Sequence, residues 1–189
     1  AMLAGDAMQA LAFEVLTPDA DDAAPVPPAL QARLCGLLAR AAGHNGMAGG
    51  QAIDLASVGI KLTQTQLQRM HQLKTGALLQ ASVMMGAACG ECDDKASEGL
   101  KTYGAALGLA FQVVDDILDV TQDAMTLGKT AGKDAANDKP TYVSLMGLSG
   151  AQAHAQTLLQ HALVALRSTG LSETRALEAL ADMVVNRNT

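Results

Sequence analysis

The stretch from Ala96 to Val120, ASEGLKTYGAALGLAFQVVDDILDV, decides how this chain folds. Leu100, Tyr103, Leu107, Phe111 and Val114 recur at intervals of three and four, the spacing of one buried face of an α-helix. Ala and Leu, which combine high helix propensity with a low rotamer cost in a helix, supply a third of the 189 residues. The aromatic strand formers are scarce: Phe13, Tyr103, Phe111 and Tyr142 are the only aromatics, and Trp is absent. An all-α fold is expected, and a β-sandwich or barrel is not. At this length one hydrophobic core can bury roughly 70% of the unfolded chain's surface, so residues 1–189 are expected to form one helical domain.

Other segments carry the same helical signature. Ala1 to Leu16 is small and apolar nearly all round, which predicts a helix central in a bundle. Four of the five prolines fall between Thr17 and Ala29 and mark an exposed connection. Leu30, Leu34, Leu37, Leu38 and Ala41 line one helical face. The glycines at 43, 46, 49 and 50 lack the strand and spacing of a nucleotide loop, and they read as places where two helices approach closely. Thr63 with Gln66 is a capping box opening a long helix through Met84 and Met85 to Ala88. A loop is expected from Thr126 to Pro140. Two shorter helices close the chain, one through Leu158, Leu159, Ala162, Leu163 and Leu166, the other capped by Ser172 and carrying Leu177, Leu180 and Val184.

Charge and cysteine usage remove several functions. The net charge of −6 and the lack of a basic stripe argue against nucleic-acid binding. Three cysteines give no disulfide framework and favour a reducing, cytoplasmic setting. Cys89-Gly-Glu-Cys92 has neither the further ligands of a zinc site nor the βαβ context of a redox pair. No signal peptide is visible, and the longest uncharged stretch, Pro140 to Leu166, is too polar to span a membrane.

The acidic residues are concentrated. Asp115, Asp116, Asp119 and Asp123 fall within nine residues, with Lys129, Lys133 and Lys139 following. On a helix Asp115 and Asp119 stack one turn apart, Asp116 lies about 100° round, and Gln112 precedes them on the same side. A solvated acidic face is one reading. Yet Val113, Val114, Ile117, Leu118 and Val120 surround these carboxylates and draw part of the cluster toward the core, where it needs a counter-charge. Mg2+, held by one or two carboxylates and a substrate phosphate, suits so sparse a set, whereas the order of a calcium loop is missing. Gly128-Lys-Thr-Ala-Gly-Lys133 lacks the earlier glycine of a P-loop; its cations either take diphosphate oxygens or pair with Asp134 and Asp138. Lys74, in the Met/Ala/Leu helix beside His71 and Thr75, either snorkels to solvent or points into a polar pocket.

Taken together, His71-Gln-Leu-Lys-Thr-Gly-Ala-Leu78, Gly46-Met-Ala-Gly-Gly-Gln-Ala-Ile-Asp54, Phe111-Gln-Val-Val-Asp-Asp-Ile-Leu-Asp119, Leu127-Gly-Lys129 and Lys139-Pro-Thr-Tyr142 resemble the trans-polyprenyl diphosphate synthases, most of all the bacterial farnesyl diphosphate synthases. Leu3-Ala-Gly-Asp-Ala-Met-Gln-Ala-Leu-Ala-Phe13 is similar to the helix after that family's first aspartate motif, so the resemblance runs the length of the chain. It implies an orthogonal helical bundle around a deep central cavity and a homodimer. It also implies Mg2+-dependent head-to-tail condensation of an allylic diphosphate with isopentenyl diphosphate. Carried over, Asp115, Asp116 and Asp119 hold the metal, Asp115 most directly. Lys74, Lys129 and Lys139 bind diphosphate, and Thr75 and Gln112 face the developing cation. The first aspartate motif and the basic residues that hold isopentenyl diphosphate have no counterpart here. The chain is therefore expected to lack the family's N-terminal helices and to be inactive alone. A geranylgeranyl-type synthase, a non-catalytic helical subunit and a bare divalent-metal binder are the competing readings.

Overall fold

A computed structural model describes residues 2–19, 26–121 and 140–187, and every regular element among them is a helix. In chain order these are α1 (Met2–Leu16), α2 (Pro28–Ala42), α3 (Met47–Ala56) and α4 (Gln64–His71), then a π-helical turn (Gln72–Gly76), α5 (Ala77–Cys89), α6 (Asp94–Thr121), α7 (Tyr142–Ser168) and α8 (Arg175–Asn186). The ends follow local chemistry. Pro28, whose fixed φ suits the first helical position, opens α2. Thr63 accepts from the Gln66 N–H and the Gln66 side chain accepts from the Thr63 N–H, so the capping box read from sequence starts α4.

α6 organises the rest. It packs along α7, α5 and the π turn, and Leu100, Tyr103, Leu107, Ala110, Val113 and Val114 enter one core with Leu67, Met70, Tyr142, Leu158 and Leu166. Each fully buried side chain of this size contributes about 1.5–3 kcal/mol of transfer free energy. The Tyr103 hydroxyl donates to the Leu177 carbonyl at 2.7 Å and ties α6 to α8. Burial pushes that phenol up to about 12. Two close approaches need glycine. A Cβ on Gly108 of α6 would lie 2.6 Å from the Gly76 Cα of the π turn, and one on Gly50 of α3 would lie 2.5 Å from the Lys74 Cα. The helix approach expected of the 43–50 glycines is thus made at Gly50.

Three expectations change. α1 is no central helix here: none of its residues is buried, and Met2, Leu3, Met8 and Val15 are exposed. An all-round apolar surface gives no one-sided stripe to fix which face is covered, and among the described residues α1 packs mainly on α2. α7 is long where a short helix is expected, because Thr141 and Ser144 form a second capping box upstream of the apolar stripe. Its course is interrupted at Gly147, whose φ of 73° lies in the left-handed region open to glycine. α8 is preceded by Thr174, not Ser172, so the chain after Gly170 (φ 74°) runs further before turning helical. The loop expected from Thr126 to Pro140 lies almost wholly outside the described residues.

Candidate functional site

Lys74 sits in the π turn, where the extra residue per turn re-aims the side chains between α4 and α5. Its Nζ donates to Asp54 Oδ2 at 2.7 Å, with the Lys74 side chain 29% and the Asp54 side chain 6% exposed. The lysine is therefore turned to a buried carboxylate, with part of its side chain still open to solvent. Asp54 is one helical turn from Gly50 on α3, so the face that meets the π-turn backbone also delivers the carboxylate. Sequence reading assigned Asp54 no role. Its available signal was an acidic residue in an uncharged helix, on the glycine face.

The adjacent Thr75 reaches α6. Its hydroxyl donates to Gln112 Oε1 at 3.2 Å, and Gln112 Nε2 donates to Asp116 Oδ1 at 3.2 Å. Asp116 Oδ2 accepts from the backbone N–H of Tyr142, the first residue of α7, at 2.8 Å. Thr75, Gln112 and Asp116 are thus joined in one hydrogen-bonded chain, and Lys74 precedes Thr75 in the π turn.

The aspartates divide by environment. Asp116 is 3% exposed, consistent with part of the cluster lying near the core. The Asp115 side chain is 62% exposed, and Asp119, one turn on, is half-buried. Arg187, which the sequence reading missed, lies 3.6 Å from Asp115 Oδ1. Its guanidinium carbon stands 4.1 Å above the Phe111 ring, and Nη2 donates to the Phe111 carbonyl at 3.3 Å. Among the described residues no three His, Cys, Asp or Glu side chains form a ready-made metal cage. Two carboxylates one turn apart on the outer side of one helix nevertheless fit Mg2+, which keeps several waters and takes substrate phosphate oxygens. Lys129, Lys133, Lys139 and Asp123 lie outside the described residues.

One turn before Lys74, His71 is buried and contacts the Tyr142 ring, their centroids 5.6 Å apart; His154 contacts the same ring at 5.4 Å. Burial first, then the Lys74 charge, lower His71 to about 4 against the opposing pull of Asp54. His71 is therefore neutral at pH 7. Burial, with the Asp116 charge, pushes the Tyr142 phenol well above its ordinary value. A separate apolar groove of about 890 Å3 between α6 and α7, lined by Thr102, Leu109, Leu158, His161 and Val164 among others, holds none of the candidate site residues.

Comparison with known proteins supplies the family. The Polyprenyl synthetase family profile matches residues 1–180. The chain is 44% identical to the farnesyl diphosphate synthase of Escherichia coli over 191 aligned positions, covering 100% of this chain and 63% of that protein. It is 42% identical to geranylgeranyl pyrophosphate synthase 7 of Arabidopsis thaliana chloroplasts, covering 99% of this chain and 54% of that protein. In three dimensions it is similar to the geranyltransferase of Helicobacter pylori crystallised with magnesium and isoprenyl diphosphate, with TM-score 0.77 and 34% identity over 97% of this chain and 57% of that one. The chain spans 63% or less of the length of these relatives.

Proposed function

Because the chain belongs to the polyprenyl synthetase family, we propose that it carries the allylic-diphosphate side of a short-chain, farnesyl-type prenyl diphosphate synthase. The observation that carries this reading is the hydrogen bond from Thr75, next to Lys74 in the π turn, to Gln112 on the helix that bears Asp115 and Asp119. In the proposed reaction the allylic C–O bond ionises and the diphosphate leaves with the bonding pair. The isopentenyl double bond adds to the cation, and a proton passes to the released diphosphate, giving a product one C5 unit longer. Lys74 donates to a diphosphate oxygen and stabilises its growing negative charge. Lys129 and Lys139 are assigned the same partner. Thr75 and Gln112 offer oxygen lone pairs to the positive carbon. Asp115 and Asp119 would hold Mg2+, which when bound supplies further positive charge to the leaving group.

A geranylgeranyl-type product is the second reading, favoured by the similarity to the Arabidopsis synthase. A homodimer belongs to the same proposal and is supported by the exposed apolar surface of α1. So does a cytoplasmic setting, which the free cysteines Cys35, Cys89 and Cys92 suit; no helix among the described residues is long and apolar enough to cross a membrane.

Titration calorimetry of the chain with Mg2+, pyrophosphate and both tests the site. Pyrophosphate and Mg2+ are expected to raise each other's affinity reciprocally. Mg2+ binding indifferent to pyrophosphate would mark a bare metal binder and overturn the proposal.

A further inference from the structure

We infer that Asp116 is a positioning residue: through a hydrogen bond it fixes the Gln112 amide so that a carbonyl oxygen, and not an NH2 group, faces Thr75. This rests on the reading of Thr75 and Gln112 as the groups that meet the allylic cation. A primary amide has a donor end and an acceptor end, while a carboxylate only accepts. The amide end that meets Asp116 Oδ1 at 3.2 Å is therefore the nitrogen, and the oxygen is left for Thr75. The Thr75 hydroxyl proton is in turn committed to Gln112, which leaves oxygen lone pairs as what Thr75 can offer. Both residues so present the negative ends of their dipoles, the polarity that a developing carbocation needs and that an inverted amide would oppose.

The anchor of this relay is rigid. Asp116 Oδ2 accepts from the Tyr142 backbone N–H at 2.8 Å, a donor that cannot rotate away. Tyr142 begins a helix capped by Thr141 and Ser144, and its fully buried ring contacts both His71 and His154. Asp116 is thereby set apart from Asp115, whose side chain stands largely in solvent. A residue counted with the metal-binding aspartates by its place in the sequence acts through Gln112 instead.

Asp116→Asn can still accept from Tyr142 with its amide oxygen, but it then turns an NH2 toward Gln112 and inverts the Gln112 amide. Gln112→Glu brings two carboxylates together. The double variant restores the polarity, because the NH2 introduced at position 116 donates to the carboxylate introduced at position 112, whose second oxygen accepts from Thr75. The readout is calorimetric affinity for a trialkylammonium mimic of the allylic cation against its neutral carbon isostere, each with pyrophosphate and Mg2+. Wild type is expected to prefer the ammonium, and D116N to lose on the order of tenfold of that preference. Mg2+ and pyrophosphate affinity is expected to stay within about twofold. D116N/Q112E is expected to regain the preference.

An unchanged preference in D116N overturns the inference. So does a loss of Mg2+ affinity matching Asp115→Asn, or a double variant no better than D116N. A wild type without ammonium preference defeats the reading of Thr75 and Gln112 itself and is recognised before any variant is made. If D116N does not fold, the Gln112 side-chain amide of the wild type decides by NMR. One Nε2 proton slowed in exchange is expected, and two protons exchanging like those of an exposed glutamine contradict the relay.

Discussion

Replacing Gly50 by Ala sets two effects of opposite sign against each other. A helix-interior alanine is favoured over glycine by about 1 kcal/mol. The new Cβ, however, would lie 2.5 Å from the Lys74 Cα and 2.7 Å from the Leu73 carbonyl carbon, against an optimal carbon separation of about 3.5–4.0 Å. Both obstacles are backbone, so no side-chain rotation relieves the clash; α3 and the π turn must separate by roughly 1 Å. Overpacking of this kind costs about 1–3 kcal/mol, with the rigid case at the upper end. The net expectation is a destabilisation of about 1–2 kcal/mol. For a chain of this size that lowers Tm by roughly 2–8 °C. The shift also draws Asp54 from Lys74, so pyrophosphate affinity should fall with stability. Gly86→Ala is the control: nothing lies within 4 Å of its added Cβ, and it should gain about 0.5–1 kcal/mol from propensity alone. Urea unfolding followed by circular dichroism at 222 nm measures both. A G50A chain as stable as G86A, binding pyrophosphate normally, would refute the argued contact between α3 and the π turn.

Asp54→Ala removes the carboxylate from a pair whose acid is buried and whose lysine can still reach water. It should cost about 1–3 kcal/mol, short of the 3–5 for a wholly buried pair, in the same unfolding assay. His71 takes up its proton near pH 6.5 when unfolded but only near about 4 when folded, so between these values the unfolded state binds more protons. Its contribution to stability is complete above pH 6.5 and falls away by about 3 kcal/mol as the pH drops to 4. The difference between wild-type and His71→Asn stability curves isolates that slope, and parallel curves would contradict it. Thr63→Ala deletes the α4 cap and should cost about 1 kcal/mol, visible as a lower urea midpoint with an unchanged slope.

Much of this arrangement is legible because it is local. The Leu100, Tyr103, Leu107 and Val114 spacing marks α6, and Thr63 with Gln66 marks the start of α4. Asp115 and Asp119 share a face by helical geometry alone. What escapes local reading depends on contacts distant in sequence. Asp54 meets Lys74 across 20 residues and Asp116 meets Tyr142 across 26. The π turn is hidden inside a continuous helical pattern, where the Gly76 and Gly108 backbones meet. Arg187 reaches Phe111 and Asp115 only after α8 has folded back on α6. The exposure of α1 could not be read either, since its composition is the same on all sides.

In the proposed function Lys74 and the Asp115 side of α6 act on one diphosphate. A double-mutant cycle tests it most directly, with pyrophosphate affinity measured in saturating Mg2+ for wild type, Lys74→Met, Asp115→Asn and the double variant. Each single change is expected to weaken binding by at least tenfold, and the double variant to lose less than the two losses combined, a coupling of about 1 kcal/mol or more. Independent losses that simply add, or a Lys74→Met chain that binds pyrophosphate as wild type does, would contradict it.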